Sequence, residues 1–133
     1  MEELIMSGVK EGFKKFDGDK LEWEMMPEEA LEEIMKVLQY GKRKYAAWNW
    51  LDHADEVKWT RYTNALERHL KKFKRGQDID EESGLYELAH MGCNILMLLQ
   101  YQIMNKGSDN RRKTKLEIEE YYKRLSIEKF KDE

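Results

Sequence analysis

Apolar residues in this chain recur at intervals of three and four, and the pattern divides it into helices separated by polar breaks. Pro27 followed by Glu28 and Glu29 is a helix start, because proline suits the first turn and carboxylates suit the positive end of the helix dipole. Behind it Leu31, Ile34, Leu38 and Gly41, widened by Ala30 and Val37, predict a first helix from Pro27 to Tyr45. Trp48 to His53 breaks that period and reads as a connecting loop. Trp59, Tyr62, Leu66, Leu70 and Phe73 form a second stripe, with Lys71, Lys72, Lys74 and Arg75 gathered in the last turn and Gly76 as the stop.

The most apolar stretch runs from Leu85 to Leu99 and predicts a helix from near Glu82 toward Met104. A helix apolar on most sides belongs at the centre of a bundle. Asn105 to Asn110 carries turn chemistry, and Leu116, Tyr121, Tyr122 and Leu125 predict a shorter final helix, packed on a partner subunit. The expected architecture is all-α, a bundle of about four main helices in one domain over 1–133. Residues 1–26, which contain Gly8, Gly12 and Gly18, form an N-terminal arm, 27–105 the helical core and 106–133 the C-terminal helix.

At 133 residues one compact core is within reach, and a charged fraction of 38% fits amphipathic helices with charged outer faces. With 24 Lys and Arg against 27 Asp and Glu, the net charge of -3 supplies no global positive field for nucleic acid or an anionic membrane. A small anionic ligand then needs a local basic cluster. The single cysteine, Cys93, sits in an apolar run, where a thiol serves packing, and it permits no intrachain disulfide. Met1 to Lys20 carries charges throughout and lacks the apolar stretch of a signal peptide, so the expected location is the cytoplasm.

Glu87, His90 and Asn94 are the anomaly of the central helix, since positions i, i+3 and i+7 put three polar groups on one face of an apolar rod. Buried polar groups need partners. Carboxylates and imidazoles projecting inward can grip a divalent cation, or His90 and Asn94 can hydrogen-bond to each other or to neighbouring backbone. His69 lies in the stripe between Leu66 and Phe73 and is expected to point inward, as a structural residue or as a ligand. Glu29 and Glu33, and Glu28 and Glu32, are four apart on the first helix, a spacing that serves a solvated face unless other ligands lie close. Asp80, Glu81 and Glu82 form an acidic entrance to the central helix, with Asp80 or Ser83 as the expected cap. Lys42, Arg43, Lys44, Tyr45, Trp48, Asn49 and Trp50 bring cations, rings and an amide together, which suits either an ordinary helix end or a nucleotide. The chain has no phosphate-binding glycine-rich loop, CxxC pair, HExxH motif or serine nucleophile elbow.

Read in order, Asp19-Lys20-Leu21, Pro27 with Ala30-Leu31, Gly41 with Lys44-Tyr45 and Asn49-Trp50, Arg68-His69-Leu70, Gly76, Asp80, Ser83-Gly84-Leu85 and Leu88-Ala89-His90 with Asn94 compose a pattern. It resembles the phage dATP/dGTP diphosphohydrolase domain, a MazZ-type relative of the MazG-like all-α NTP pyrophosphatases, over about Lys15 to Gln102. The resemblance implies a helical bundle, dependence on Mg or Mn, and hydrolysis of a purine deoxynucleoside triphosphate, dGTP or dATP, to dNMP and pyrophosphate. It implies a role in shaping the phage nucleotide pool, in some phages toward 2,6-diaminopurine nucleotides. Glu87-Leu88-Ala89-His90 falls where MazG-like enzymes carry an ELGD-type sequence, with His90 in the aspartate's place; Glu87 departs from the histidine common there in the phage family. On this basis ion binding is expected from Glu29, Glu33, His69, Glu82, His90 and Asn94, and catalysis from Glu33, Glu82 and His90. Lys20, Lys44 and Arg68 are expected phosphate contacts, and Tyr45, Asn49 and Trp50 the base or sugar pocket. The expected partners are a nucleotide and further copies of the chain, as a dimer or tetramer. The competing expectation is a non-catalytic helical phage protein that binds a host or phage partner, a module that has no need of polar groups in its core.

Overall fold

A computed structural model describes residues 12–112 and 115–131 of the chain. Helix α1 spans Glu28–Tyr45, α2 Asn49–Asp52, α3 Trp59–Lys74, α4 Glu87–Met104 and α5 Lys115–Lys131, with single 3-10 turns at Trp23–Met25 and Ala54–Glu56. No strand occurs among the described residues, so the class is all-α as the periodicity predicts. The described part of the arm, residues 12–26, is irregular apart from the 3-10 turn and a tight turn closed by Lys20 N–H on the Asp17 carbonyl at 3.0 Å.

Helix α1 begins one residue later than expected, with Pro27 in extended backbone as the cap and its carbonyl accepting from Leu31 N–H at 3.0 Å. Helix α3 ends where Gly76 takes φ +95°, which lets Gln77 N–H return to the Lys72 carbonyl at 3.1 Å. Helix α4 stops at Asn105, whose left-handed conformation satisfies the same requirement.

Three expectations need correction. The stretch Trp48 to His53 is not simply a loop: Trp48 adopts a left-handed conformation that directs its carbonyl to Leu51 and Asp52 N–H at 3.0 and 2.8 Å, giving the single helical turn α2. Helix α4 starts at Glu87 rather than near Glu82. Asp80 captures the N–H groups of Glu82 and Ser83, and Gly84 at φ +74° turns the chain back so that Asp80 N–H meets the Leu85 carbonyl. The side chain that was expected to cap the helix closes a turn in front of it instead. Third, α4 is covered on two sides and not all round.

The covering elements are α1 and α3, both antiparallel to α4. On the α1 side Ile34 lies against Gly92, where an added Cβ would come within 2.7 Å of the isoleucine, and Lys44 reaches Glu82. Val37, Ala89 and Cys93 form the buried centre of this contact, with Ile34, Leu38, Leu85 and Met97 packed around it. Burial pushes the Cys93 thiol up to about 11, consistent with a packing role. On the α3 side His69 meets Glu87 at one end and Tyr62 meets Tyr101 at the other. Tyr101 is fully buried, and its hydroxyl donates to the Trp50 carbonyl, tying α2 to the core. The outer face of α4 stays open, with Leu88, Ile95, Leu99 and Ile103 all about half exposed or more. No described helix is long and apolar enough to cross a membrane.

Candidate metal centre at the head of the central helix

The turn that precedes α4 and the last turns of α3 put four ionisable groups in one place. His69, on the inner stripe of α3, presents Nδ1 to Glu87 Oε1 at 2.6 Å. Glu87 is the first residue of α4 and is wholly buried. An isolated carboxylate there would be costly, and the hydrogen bonds from His69 and from Gln77 Nε2, at 2.7 Å, offset that cost. His90, one helical turn further on, stacks on His69 with ring centroids 4.5 Å apart and planes within 8° of parallel. Its Nε2 shares a 2.6 Å hydrogen bond with Ser83 Oγ and lies 3.9 Å from Asp80 Oδ2.

Asp80 is the second buried carboxylate. Its Oδ2 accepts two backbone N–H groups of the turn, and its Oδ1 faces His69 Nδ1 at 4.0 Å and Lys72 Nζ at 3.3 Å. Burial opposes its ionisation, but hydrogen bonds from Ser83 and Lys72 and the nearby His90 outweigh that and hold the carboxyl below its ordinary value. His90 moves the other way for an imidazole: burial, and then the neighbouring His69, push it below its usual value, so it is neutral at pH 7. Donor atoms of His69, Asp80 and Glu87 lie within 4.8 Å of one another, the one such group among the described residues.

The end of α1 forms the rim. Lys44 Nζ pairs with Glu82 at 3.1 Å and lies over the rings of Tyr40 and Tyr45, at 5.8 and 5.5 Å. The Tyr40 ring meets His90 edge-on at 6.3 Å. The Lys44 ammonium holds the Glu82 carboxyl below its ordinary value. Lys72 bridges Asp80 and Glu81. Two cations and a shell of carboxylates therefore border one polar cluster at the mouth of the bundle.

The sequence profile described as dATP/dGTP diphosphohydrolase, N-terminal, matches residues 10–111. The chain belongs to this family. A dATP/dGTP diphosphohydrolase of Salmonella phage PMBT28 is 30% identical over 107 residues, 80% of this chain and 34% of the phage protein. The chain thus spans about a third of the length of that relative. No solved structure matches it.

In this member of the diphosphohydrolase family, His69 and His90 come together as stacked rings, and Glu82, Lys44 and Tyr45 lie at the rim of the same cluster. The remaining candidates lie elsewhere. Glu33 pairs with Lys36 at 2.7 Å, and Glu29 lines an open depression at the start of α1 with Trp23, Glu24 and Glu32. Because α1 runs antiparallel to α4, Glu33 and Glu29 lie about 10 and 16 Å along the α1 axis from Tyr40, at 1.5 Å per residue. Asn94 is half-buried and makes no side-chain hydrogen bond among the described residues. Lys20 faces Asp17 on the arm, Arg68 is exposed on α3, and Asn49 opens α2. Trp50 packs on Tyr101, 5.8 Å away.

Two members of the cluster escaped the sequence reading. Asp80 reads from the sequence as a helix cap, and Gln77, just past the Gly76 stop, carries no signal of its own. The run from Gln77 to Glu87 is drawn into a closed loop by Glu87 N–H bonding to the Asp78 carbonyl and by the Ile79–Tyr86 bridge. The only local hint was the glycine at 84, which a residue four positions from a candidate cap would not need inside a helix.

Proposed function

We propose that this chain is a metal-dependent diphosphohydrolase domain that converts a purine deoxynucleoside triphosphate, dGTP or dATP, to dNMP and pyrophosphate. Water attacks the α-phosphorus, the bond from that phosphorus to the bridging oxygen breaks, and pyrophosphate leaves. The observation that carries the reading is the cluster of two buried carboxylates, Asp80 and Glu87, with the partly buried His69 and His90, bordered by Lys44 and Lys72, in a chain of this family.

The donor set fits Mg or Mn, hard to intermediate cations that take carboxylate with some imidazole. Asp80 and His69 are the residues that would hold it, with Glu82 at the rim. Such an ion would polarise the phosphate and lower the pKa of a bound water. Neutral His90 is suited to hold the proton that the attacking water gives up, more so than Glu82, whose ion pair with Lys44 makes it a weaker base. Lys44 and Lys72 supply positive charge for the triphosphate, and Tyr45 supplies flat surface for a base.

The bare outer face of α4, with Leu88, Ile95, Leu99 and Ile103 about half exposed or more, supports assembly with further copies as a dimer or tetramer, and Leu99→Lys on that face should shift the particle to monomer mass in light scattering.

The deciding assay incubates the protein with Mn or Mg and each dNTP and separates the products. Appearance of dNMP with pyrophosphate supports the reading, and dNDP with phosphate or silence across all substrates overturns it. His90→Ala should abolish turnover with helical content retained.

A further inference from the structure

We propose that Glu87 is a positioning residue: it holds the His69 ring by Nδ1, so that Nε2 is the nitrogen offered to a divalent cation, and Glu87 itself is no ligand. This rests on the reading of the cluster as a cation centre.

Both of its carboxylate oxygens are engaged. Oε1 is 2.6 Å from His69 Nδ1, and Oε2 accepts from Gln77 Nε2 at 2.7 Å. Gln77 is itself fixed, since the two hydrogens of the same amide nitrogen are shared among Glu87, the Ile79 carbonyl at 3.0 Å and Glu81 at 2.7 Å. The Glu87 backbone N–H is tied to Asp78 at 2.9 Å, so the carboxylate has little freedom to swing toward another partner. An ionised carboxylate has about four lone-pair sites, so Glu87 keeps acceptor capacity, but in this fully buried position turning toward an ion would stretch the bonds to His69 and Gln77 that fix it. Asp80 is different, because its Oδ1 meets the Lys72 ammonium at 3.3 Å and stands 4.0 Å from His69 Nδ1, beyond hydrogen-bond reach, and Lys72 keeps Glu81 as a partner if that oxygen turns to an ion.

A carboxylate that accepts the Nδ1 proton of an imidazole selects one tautomer, fixes the ring plane and strengthens the other nitrogen as a donor. The parallel stack on His90 holds the same plane from the other side. Glu87 and His90 thus constrain His69 by two independent contacts, one polar and one face to face.

Long-range proton–nitrogen NMR of the metal-free protein reads the tautomer directly. His69 should carry its proton on Nδ1, and Zn2+, a diamagnetic probe that suits imidazole, should shift Nε2 while the Nδ1 proton persists. A proton on Nε2 in the metal-free protein, or Zn2+ on Nδ1, overturns the proposal; neither measurement requires a variant. Glu87→Gln should mix the tautomers and weaken Mn2+ binding roughly 10- to 100-fold by calorimetry without nucleotide. Unchanged Mn2+ affinity in that variant overturns the positioning role alone. Failure of the wild-type protein to bind either Zn2+ or Mn2+ overturns it together with the cation centre.

Discussion

Tyr101→Phe removes a single oxygen from the most enclosed polar position of the fold. The hydroxyl donates to the Trp50 carbonyl at 2.5 Å and pairs with the Tyr62 hydroxyl at 3.0 Å, while the ring packs against Trp50 and Tyr62 at 5.8 and 5.3 Å. Burial raises the phenol far above its usual value, so it is a neutral donor at every working pH. Phenylalanine keeps the ring contacts, and the cost is therefore polar. Tyr62 is only half-buried and its hydroxyl can turn to water, whereas the Trp50 carbonyl loses the partner that ties α2 to α4. One lost hydrogen bond with a stranded acceptor costs about 2 kcal/mol. For a chain of this size that lowers Tm by roughly 6–10 °C. Urea and thermal unfolding followed by circular dichroism measure both quantities, and Tyr62→Phe is the control, expected to cost about half as much because the Tyr101–Trp50 bond survives. If Tyr101→Phe costs no more than its control, the buried hydroxyl does not hold α2 in place and the reasoning fails.

Two further outcomes are expected. Ala46 sits at φ 135°, ψ 155°, a region open essentially to glycine alone, so Ala46→Gly should raise the urea midpoint by the equivalent of about 1 kcal/mol; a lower midpoint would deny the strain. His90 is lowered below the ordinary 6.5, so the unfolded chain takes up its proton first and the fold loses stability as pH falls below that value. His53, raised by its exposed hydrogen bond to Glu56, acts in the opposite sense, its contribution being present below 6.5 and lost as pH rises through its folded value. Metal-free His53→Asn should therefore isolate the His90 effect, with urea midpoints that decline from pH 7.5 to 5; a flat profile would contradict a buried neutral His90.

Helices α1 and α3 were legible because their signals are local. Pro27 with two glutamates starts one, Gly76 stops the other, and each carries a stripe that any packed neighbour would bury. The head of α4 was not legible, since the seven residues from Asp80 to Tyr86 satisfy the pattern of a helix start and of a closed turn equally well. The turn prevails because Asp80 gains two backbone donors and Gly84 accepts the positive φ at no steric cost. His69 and His90 stood out as polar groups on apolar faces, a signal that periodicity alone delivers. Asp80 and Gln77, which complete the cluster, did not, because an aspartate or a glutamine in a polar turn has no periodicity to violate.

By itself, the sequence determined the helical class, the stripes, the stops and the identity of two inward imidazoles, all consequences of residue spacing within one element. Only the tertiary structure decided which groups meet. The contact of Ile34 with Gly92 sets α1 against α4 in an antiparallel register that brings Tyr40 and Lys44 to the cluster and carries Glu29 and Glu33 away from it. The pairing of His69 with Glu87 spans eighteen positions and two helices, and such a contact depends on how elements pack, which no local spacing encodes.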